Sequence, residues 1–322
     1  MKSTVCTCLI VLAAAAATVQ AQDVMVYQGM CDASAVAALG PDYFVVADDE
    51  RNTLQIYHRG QPASVALMPL AEYLETRGGE ESDLEGAAVI GTRIYWISSH
   101  GRNSKGKVKP ARYRFFATDI DTRTSPPALK PVGIPYTGLL TDLVAAPSLK
   151  SLRLADAARR APEDEGGLNI EGLAATPDGR LLIGFRNPLR HGRAIVVPLE
   201  NPAQLLEGKR ATFGTAVLLD LRQRGIRSLE QVGAGYLIVA GPVANAGVFA
   251  LYRWSGTQSS PPSSVSGLPT VWTALRPEAL FEIPGTDQVQ ILSDDGGVKA
   301  GGIACKDRPV DEQSFRSITL KR

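Results

Sequence analysis

One kind of segment recurs five times along this chain: an acidic residue, a short apolar stretch, a turn, and a β-rich run. The openings are Asp32-Ala33-Ser34-Ala35, Glu85-Gly86-Ala87-Ala88, Glu171-Gly172-Leu173-Ala174, Glu230-Gln231-Val232 and Glu278-Ala279-Leu280. The runs that follow are Tyr43 to Ala47, Ile94 to Ser98, Leu181 to Phe185, Tyr236 to Ala240 and Val289 to Ser293. A spacing of roughly 40–60 residues between β-rich units marks a propeller or another closed array. A chain built this way is all-β, and the expected architecture is a five-bladed β-propeller.

The third unit gives the pattern of a blade. Glu171 to Thr176 reads as the inner strand, Pro177-Asp178-Gly179 as a turn, and Arg180 to Phe185 as the second strand. Ala194 to Leu199 and Thr215 to Leu221 complete it. Blade one takes Asp32 to Leu39, Tyr43 to Ala47, Thr53 to His58 and Ser64 to Met68. Blade two takes Glu85 to Ile90, Arg93 to Ser98, Arg112 to Ile120 and Leu129 to Ile134. Blade four takes Leu229 to Val232, Tyr236 to Ala240, Val248 to Trp254 and a strand near Thr270 to Thr273. Blade five has Glu278 to Ile283, Val289 to Ser293 and Phe315 to Leu320, and then the chain runs out. Val24 to Tyr27 has no other place, so it is expected to pair as the outer strand of blade five and close the ring, which removes an exposed edge. Pro69 to Arg77 and Thr141 to Arg160 have helical composition and read as insertions on one rim. The Ser/Pro/Gly-rich stretch Ser255 to Pro269 reads as a surface loop.

The N-terminus has the form of a secretory signal. Lys2 supplies positive charge, Cys8 to Thr18 an apolar run, and Val19-Gln20-Ala21 a small-x-small cleavage site. Residues 1–21 are expected to leave, and 22–322 to form one propeller domain in the periplasm or outside the cell. The apolar run is short for a membrane span, and no later segment is long and apolar enough for one. Cys31 and Cys305 then remain, and an even pair in an exported chain favours a disulfide. Both fall on the same rim of adjacent blades once the ring closes. A bond there would stabilise by about 4–5 kcal/mol in the chain-entropy model. A formal net charge of +1 argues against a nucleic-acid or polyanion binder. A monomer is expected.

Repeat position gathers the acids at one central rim. Asp32, Glu85, Glu171, Glu230 and Glu278 should form a ring there, and close carboxylates cannot all stay charged and unpaired. Ca2+ held by Glu85, Glu171, Glu230 and Glu278 would satisfy several. Arginines near the rim, namely Arg93, Arg186, Arg227 and Arg276, would do the same, as would backbone N–H groups. Glu171 is the strongest single candidate, because Asn169 lies two residues before it and points the same way along a strand. Arg186 and His100 are candidates beside it, with the Thr141 to Arg160 insertion above. Loops on blades two and three are basic (Arg102, Lys105, Arg190, Arg193) and those on blades one and five acidic (Asp48, Asp49, Glu50, Asp294, Asp295), an arrangement suited to a small anionic ligand. The histidines His58, His100 and His191 lack partners at zinc-ligand spacing, and no G-x-S-x-G supports a nucleophile-elbow hydrolase.

Several stretches resemble a known family. Asn169-Ile170-Glu171-Gly172-Leu173, Gly184-Phe185-Arg186-Asn187-Pro188, Ile226-Arg227-Ser228, Ala240-Gly241-Pro242, Pro277-Glu278-Ala279 and Ser293-Asp294-Asp295-Gly296 are similar to the bacterial family named domain of unknown function 3616. That resemblance implies a propeller and no established activity. Asp83 to Gly86, an Asp-x-Glu-Gly, also resembles secreted phytase-like propellers with esterase activity. Two function classes follow as expectations. One is a propeller of the cell envelope that binds a small ligand or a partner. The other is a cation-assisted hydrolase of phosphate or carboxylic esters.

Overall fold

The computed structural model describes residues 24–322 apart from 49, 78 and 245. The expected signal and Asp49 lie outside the described residues. Five four-stranded antiparallel sheets follow one another around a central axis. Blade one is Ala33–Ala38, Tyr43–Asp48, Thr53–His58 and Ser64–Pro69; blade two is Leu84–Ile90, Arg93–Ser98, Phe115–Asp121 and Ala128–Tyr136. Blade three is Asn169–Ala175, Leu181–Asn187, Ala194–Leu199 and Val217–Leu219. Blade four is Gly225–Val232, Gly235–Gly241, Ala250–Trp254 and Ser263–Ser264.

Blade five joins the two ends of the chain. Pro277–Glu282, Gln288–Ser293 and Ser314–Lys321 pair in that order, and Met25–Gln28 adds the outermost strand. Its register runs from Met25 opposite Ser317 to Gln28 opposite Ser314. Tyr27 is fully buried there and packs on Phe44, Tyr57 and Phe315, so one side chain ties the closing strand to blade one. The disulfide Cys31–Cys305 spans the same seam, with Cα atoms 5.9 Å apart.

Turn chemistry fixes the hairpins. In blade three the Thr176 hydroxyl accepts from the Arg180 N–H at 3.0 Å, and Gly179 takes φ +82°, a region an L side chain rarely enters. The hydrophobic core is divided among the seams. Each of five buried clusters sits between two neighbouring blades, where the apolar faces of adjacent sheets meet. Small residues let the inner strands crowd the axis: a Cβ on Gly86 would lie 3.0 Å from that of Leu173, and one on Gly172 2.8 Å from Ile226 Cγ2.

Three expectations need correction. The outer strand of blade four is Ser263–Ser264, inside the stretch read as a loop, while Thr270–Ala274 is a 3-10 turn after Pro269. Pro69 to Arg77 is no helix: one turn closes with Leu74 N–H on Leu70 O, and Glu75 at φ +53° ends it. Thr141 to Arg160 does carry helices, at Leu139–Ala145 and Leu154–Ala157, with a 3-10 piece Pro147–Leu152 between them. Their leucines, however, fill the seam between blades two and three rather than roof the central mouth. Only the residues just beyond, Pro162 and Glu163, reach the central cavity. Among the described residues no helix is long and apolar enough to cross a membrane.

Candidate functional site

Every inner strand carries a β-bulge near its start, directly after its first pair with the second strand in blades one, two and five and after its second pair in blades three and four. The extra residue in each blade is Ser34, Glu85, Glu171, Arg227 and Glu278. A bulge re-aims a side chain without ending the strand, and here the bulges bring Glu85, Glu171, Arg227 and Glu278 to one central cavity. Two residues earlier, nearer the rim, the equivalent positions hold Asp32, Asp83, Asn169, Gly225 and Arg276. The ring of acids is therefore real at Glu85, Glu171 and Glu278 and needs revision at two places. In blade four the equivalent of Glu171 is Arg227. In blade one it is Ser34, with Asp32 a step above.

Glu230 lies elsewhere. It pairs opposite Leu237 near the far end of its strand and lines a separate cavity of about 490 Å3 at the opposite mouth, with Glu282 and Leu39. Burial pushes its carboxyl up to about 8. Arg93 also lies at that end, bound to Asp119 at 2.7 Å. Glu230 lies three residues beyond the bulge residue Arg227, and Arg93 pairs opposite Ile90 at the far end of blade two.

At the bulge end the inner strands enclose a polar cavity of about 390 Å3. Glu171 is its most tightly held carboxylate, with a side chain 2% exposed. Arg186 Nη1 donates to Oε1 at 2.9 Å, Asn169 Nδ2 donates to the same oxygen at 2.8 Å, and Arg227 Nε stands 2.9 Å from Oε2. Arg227 Nη2 also binds Glu278, so one guanidinium links the carboxylates of both neighbouring blades. Arg112 pairs with Asp83 at 2.8 Å and with Glu81. The arginine alternative thus describes Glu171 and Glu278. Among the described residues no three His, Cys, Asp or Glu side chains are arranged to hold a metal ion, so the Ca2+ set of Glu85, Glu171, Glu230 and Glu278 is not brought together.

Charge compensation is uneven around the ring. Glu85 makes no hydrogen bond or ion pair among the described residues. Burial raises its carboxyl well above the ordinary range; Glu171 and Asp83 add to this, and Arg227 and Arg186 oppose it. Asp32 is 8% exposed and hydrogen-bonds Asp294. Burial first, and then Asp294, Asp48 and Glu50, push it up to about 9. A Cβ on Gly296 would strike the Asp32 carboxylate, so only glycine permits that approach. Asp83 is raised to about 6 by burial, with Arg112 limiting the rise. In all, nine carboxylates and five cationic side chains line the cavity.

His100 is not in this cavity. It is 1% exposed, its Nδ1 donates to Ser98 O at 2.8 Å, and burial lowers its imidazole to about 4, so it is neutral packing against Tyr113. The loop charges are largely spent internally. Asp48 holds Arg51, Asp295 holds Arg316, and Arg102 donates to Ala158 O and Gly106 O. Asp83, Arg112 and Asp294 also line the cavity. Asp83 had a signal, because it stands before Glu85 as Asn169 stands before Glu171.

Residues 139–306 match the family model described as Protein of unknown function (DUF3616). No curated protein matches the sequence. Among solved structures, a GH43 β-1,3-galactosidase with galactodeoxynojirimycin is similar at 9% identity and TM-score 0.48, covering 94% of each chain. An exo-β-1,3-galactanase from Clostridium thermocellum is similar at 11% identity and TM-score 0.45, covering 92% of this chain and 62% of that one. The Cps50 (Swd1) β-propeller domain of Myceliophteria thermophila is similar at 8% identity and TM-score 0.42, covering 93% of this chain and 100% of the other.

Proposed function

The chain belongs to the family of unknown function DUF3616, which supplies no activity, and we propose that it is an exported binding protein whose central cavity takes one small hydrophilic ligand. The observation that carries this reading is the cavity itself. It is lined almost wholly by charged and polar side chains, and among the described residues no aromatic one lines it to stack on a ring. Its volume of about 390 Å3 suits a ligand of metabolite size rather than a peptide segment. The buried disulfide fits an oxidising compartment. An anionic ligand, which the basic loops of blades two and three suggest, would meet a wall with more carboxylates than cations.

The test is a thermal-shift survey of small polar solutes of all charge classes, on the wild type and on Ser104→Trp. Ser104 is exposed at the cavity mouth and touches none of the paired charges. At least one class should raise the melting temperature of the wild type, and Ser104→Trp should abolish the shift. A shift that survives the plug, or no shift from any class, rejects the reading.

A hydrolytic reading has one observation in its favour. Glu85, its carboxyl raised well above the ordinary range by burial, stands beside a carboxylate clasped by two arginines, a division of labour that serves acid–base chemistry. It predicts turnover of aryl phosphate or carboxylic esters that vanishes in Glu85→Gln. Absence of turnover in the wild type across both ester classes removes it.

A further inference from the structure

The blade three to five arc of the bulge ring is neutralised by its own arginines, and the blade one to two arc is not. Glu171, Arg227 and Glu278 form a continuous ion-pair chain with Arg186 behind it. Opposite stand Ser34 and Glu85, with Asp32 and Asp294 one layer nearer the rim. A second observation is independent of charge. Asn169 lines the cavity and is 4% exposed; its Nδ2 is committed to Glu171, and its Oδ1 has no donor among the described residues. Among the described residues Glu85 and Asn169 Oδ1 are without a partner and Asp32 has only Asp294, and all three are acceptors once the carboxyls lose their protons. A buried acceptor without a donor costs free energy that a ligand N–H recovers.

We infer that the ligand is a small organic cation carrying N–H donors, a primary ammonium or a guanidinium, seated against Glu85, Asp32 and the Asn169 carbonyl. The inference rests on the binding reading above and specifies its ligand class. A hydrated divalent metal is a poorer match, because the neighbouring carboxylates are already taken by arginines and no three free ones converge among the described residues. An ammonium needs only a few directional acceptors. Its charge compensates carboxyls that burial favours in their protonated form. The groups facing Glu85 are Glu171, Asp83, Arg227, Arg186 and Arg112, and those facing Asp32 are Asp294, Asp48 and Glu50. Binding therefore releases protons, and affinity rises with pH up to the point at which the free carboxyls have themselves ionised.

Isothermal titration with four-carbon probes separates the possibilities: 1,4-diaminobutane, 1,4-butanediol, succinate, and CaCl2 as the metal alone. The diamine should bind the wild type and release protons, read as a binding heat that changes between HEPES and phosphate buffers. Glu85→Gln and Asp32→Asn should each weaken it at least tenfold, and Ser104→Trp should abolish it. Should Glu85→Gln fail to fold, Asp32→Asn and the proton count carry the same test. Diol or succinate binding that Ser104→Trp blocks, with no diamine binding, overturns the ligand class and leaves the binding reading standing. Calcium binding that Glu85→Gln removes, in place of the diamine, also overturns it. Diamine binding indifferent to all three variants is surface attraction and overturns it too. If neither these probes nor any solute of the wider survey binds, both readings fall.

Discussion

Arg227 is the residue on which the central charges depend, and replacing it by Met gives a measurable cost. The side chains of Arg227, Glu171 and Glu278 are 7%, 2% and 8% exposed. Removing the guanidinium leaves Glu171 with Arg186 and Asn169, and leaves Glu278 with no cation among the described residues. Breaking a buried pair by deleting one partner costs about 3–5 kcal/mol, because a charge remains desolvated. The lost cation–π contact with Phe249 adds about 0.5–1 kcal/mol. At about 2 °C per kcal/mol for a domain of this size, the melting temperature should fall by about 7–12 °C. The deficit should depend on pH. An uncompensated Glu278 takes up a proton in the folded variant, so its folded pKa lies above the unfolded value. The variant is then penalised increasingly as pH rises, and its deficit is larger at pH 8 than at pH 5. Urea unfolding followed by the fluorescence of buried Trp96, Trp254 and Trp272 measures both. The double variant Arg227→Met/Glu278→Gln should recover at least about 1 kcal/mol of the loss. A single variant within about 1 kcal/mol of wild type at pH 8, or an equal deficit at both pH values, refutes the reasoning.

Three further outcomes follow from buried groups and the seam. Glu230→Gln should raise the melting temperature at pH 8 and leave it unchanged at pH 4, because a carboxyl raised to about 8 in the fold costs stability across the interval from its ordinary value upward; equal melts at both pH values would contradict this. His100→Asn keeps a residue tolerant of φ +54° and removes a buried imidazole lowered to about 4. Stability that the wild type loses as pH falls from 6.5 towards 4 should be partly retained in the variant, as read from parallel acid titrations by circular dichroism. Cys31→Ser/Cys305→Ser should lose about 4–5 kcal/mol, since the bond closes a loop with a sequence separation of 274; a melt indistinguishable from the oxidised wild type would exclude a stabilising role.

The blades were legible in the sequence because strand pairs and turns recur with chemistry of their own. Pro177-Asp178-Gly179 carries its turn chemistry in itself, and the closing strand Val24 to Tyr27 follows from the missing fourth strand of blade five. Ser263–Ser264 was hidden because a two-residue outer strand leaves no periodicity, and its backbone pairing with Tyr252 and Arg253 is set by blade four as a whole. The site was half legible. Glu85, Glu171, Glu278 and Arg186 meet at the cavity, whereas Glu230 and Arg93 belong to the other end. A better alignment was available in the bulge itself, an apolar residue, a polar one and a small one: Leu84-Glu85-Gly86, Ile170-Glu171-Gly172, Ile226-Arg227-Ser228, Pro277-Glu278-Ala279 and Ala33-Ser34-Ala35. The small third residue is what packing at the axis demands, so it tracks position, while charge at the second is free to vary. The uneven compensation was invisible, because it depends on which arginines reach which carboxylates in space.

The five bulges make the inner ring a set of interchangeable addresses. Each interrupts the first strand of its blade near the same end, so the side chain does most to distinguish one from the next. Serine, two unlike glutamates, an arginine and a third glutamate occupy them in order, and no rotation about the axis maps that order onto itself. A fivefold scaffold thereby acquires a compass bearing: a guest with a charged end and a neutral end has one way round to lie. Exchanging the residues at 85 and 227 would swing that bearing toward the opposite side of the mouth while every strand stayed where it is, and the preferred pose of the guest should turn with it.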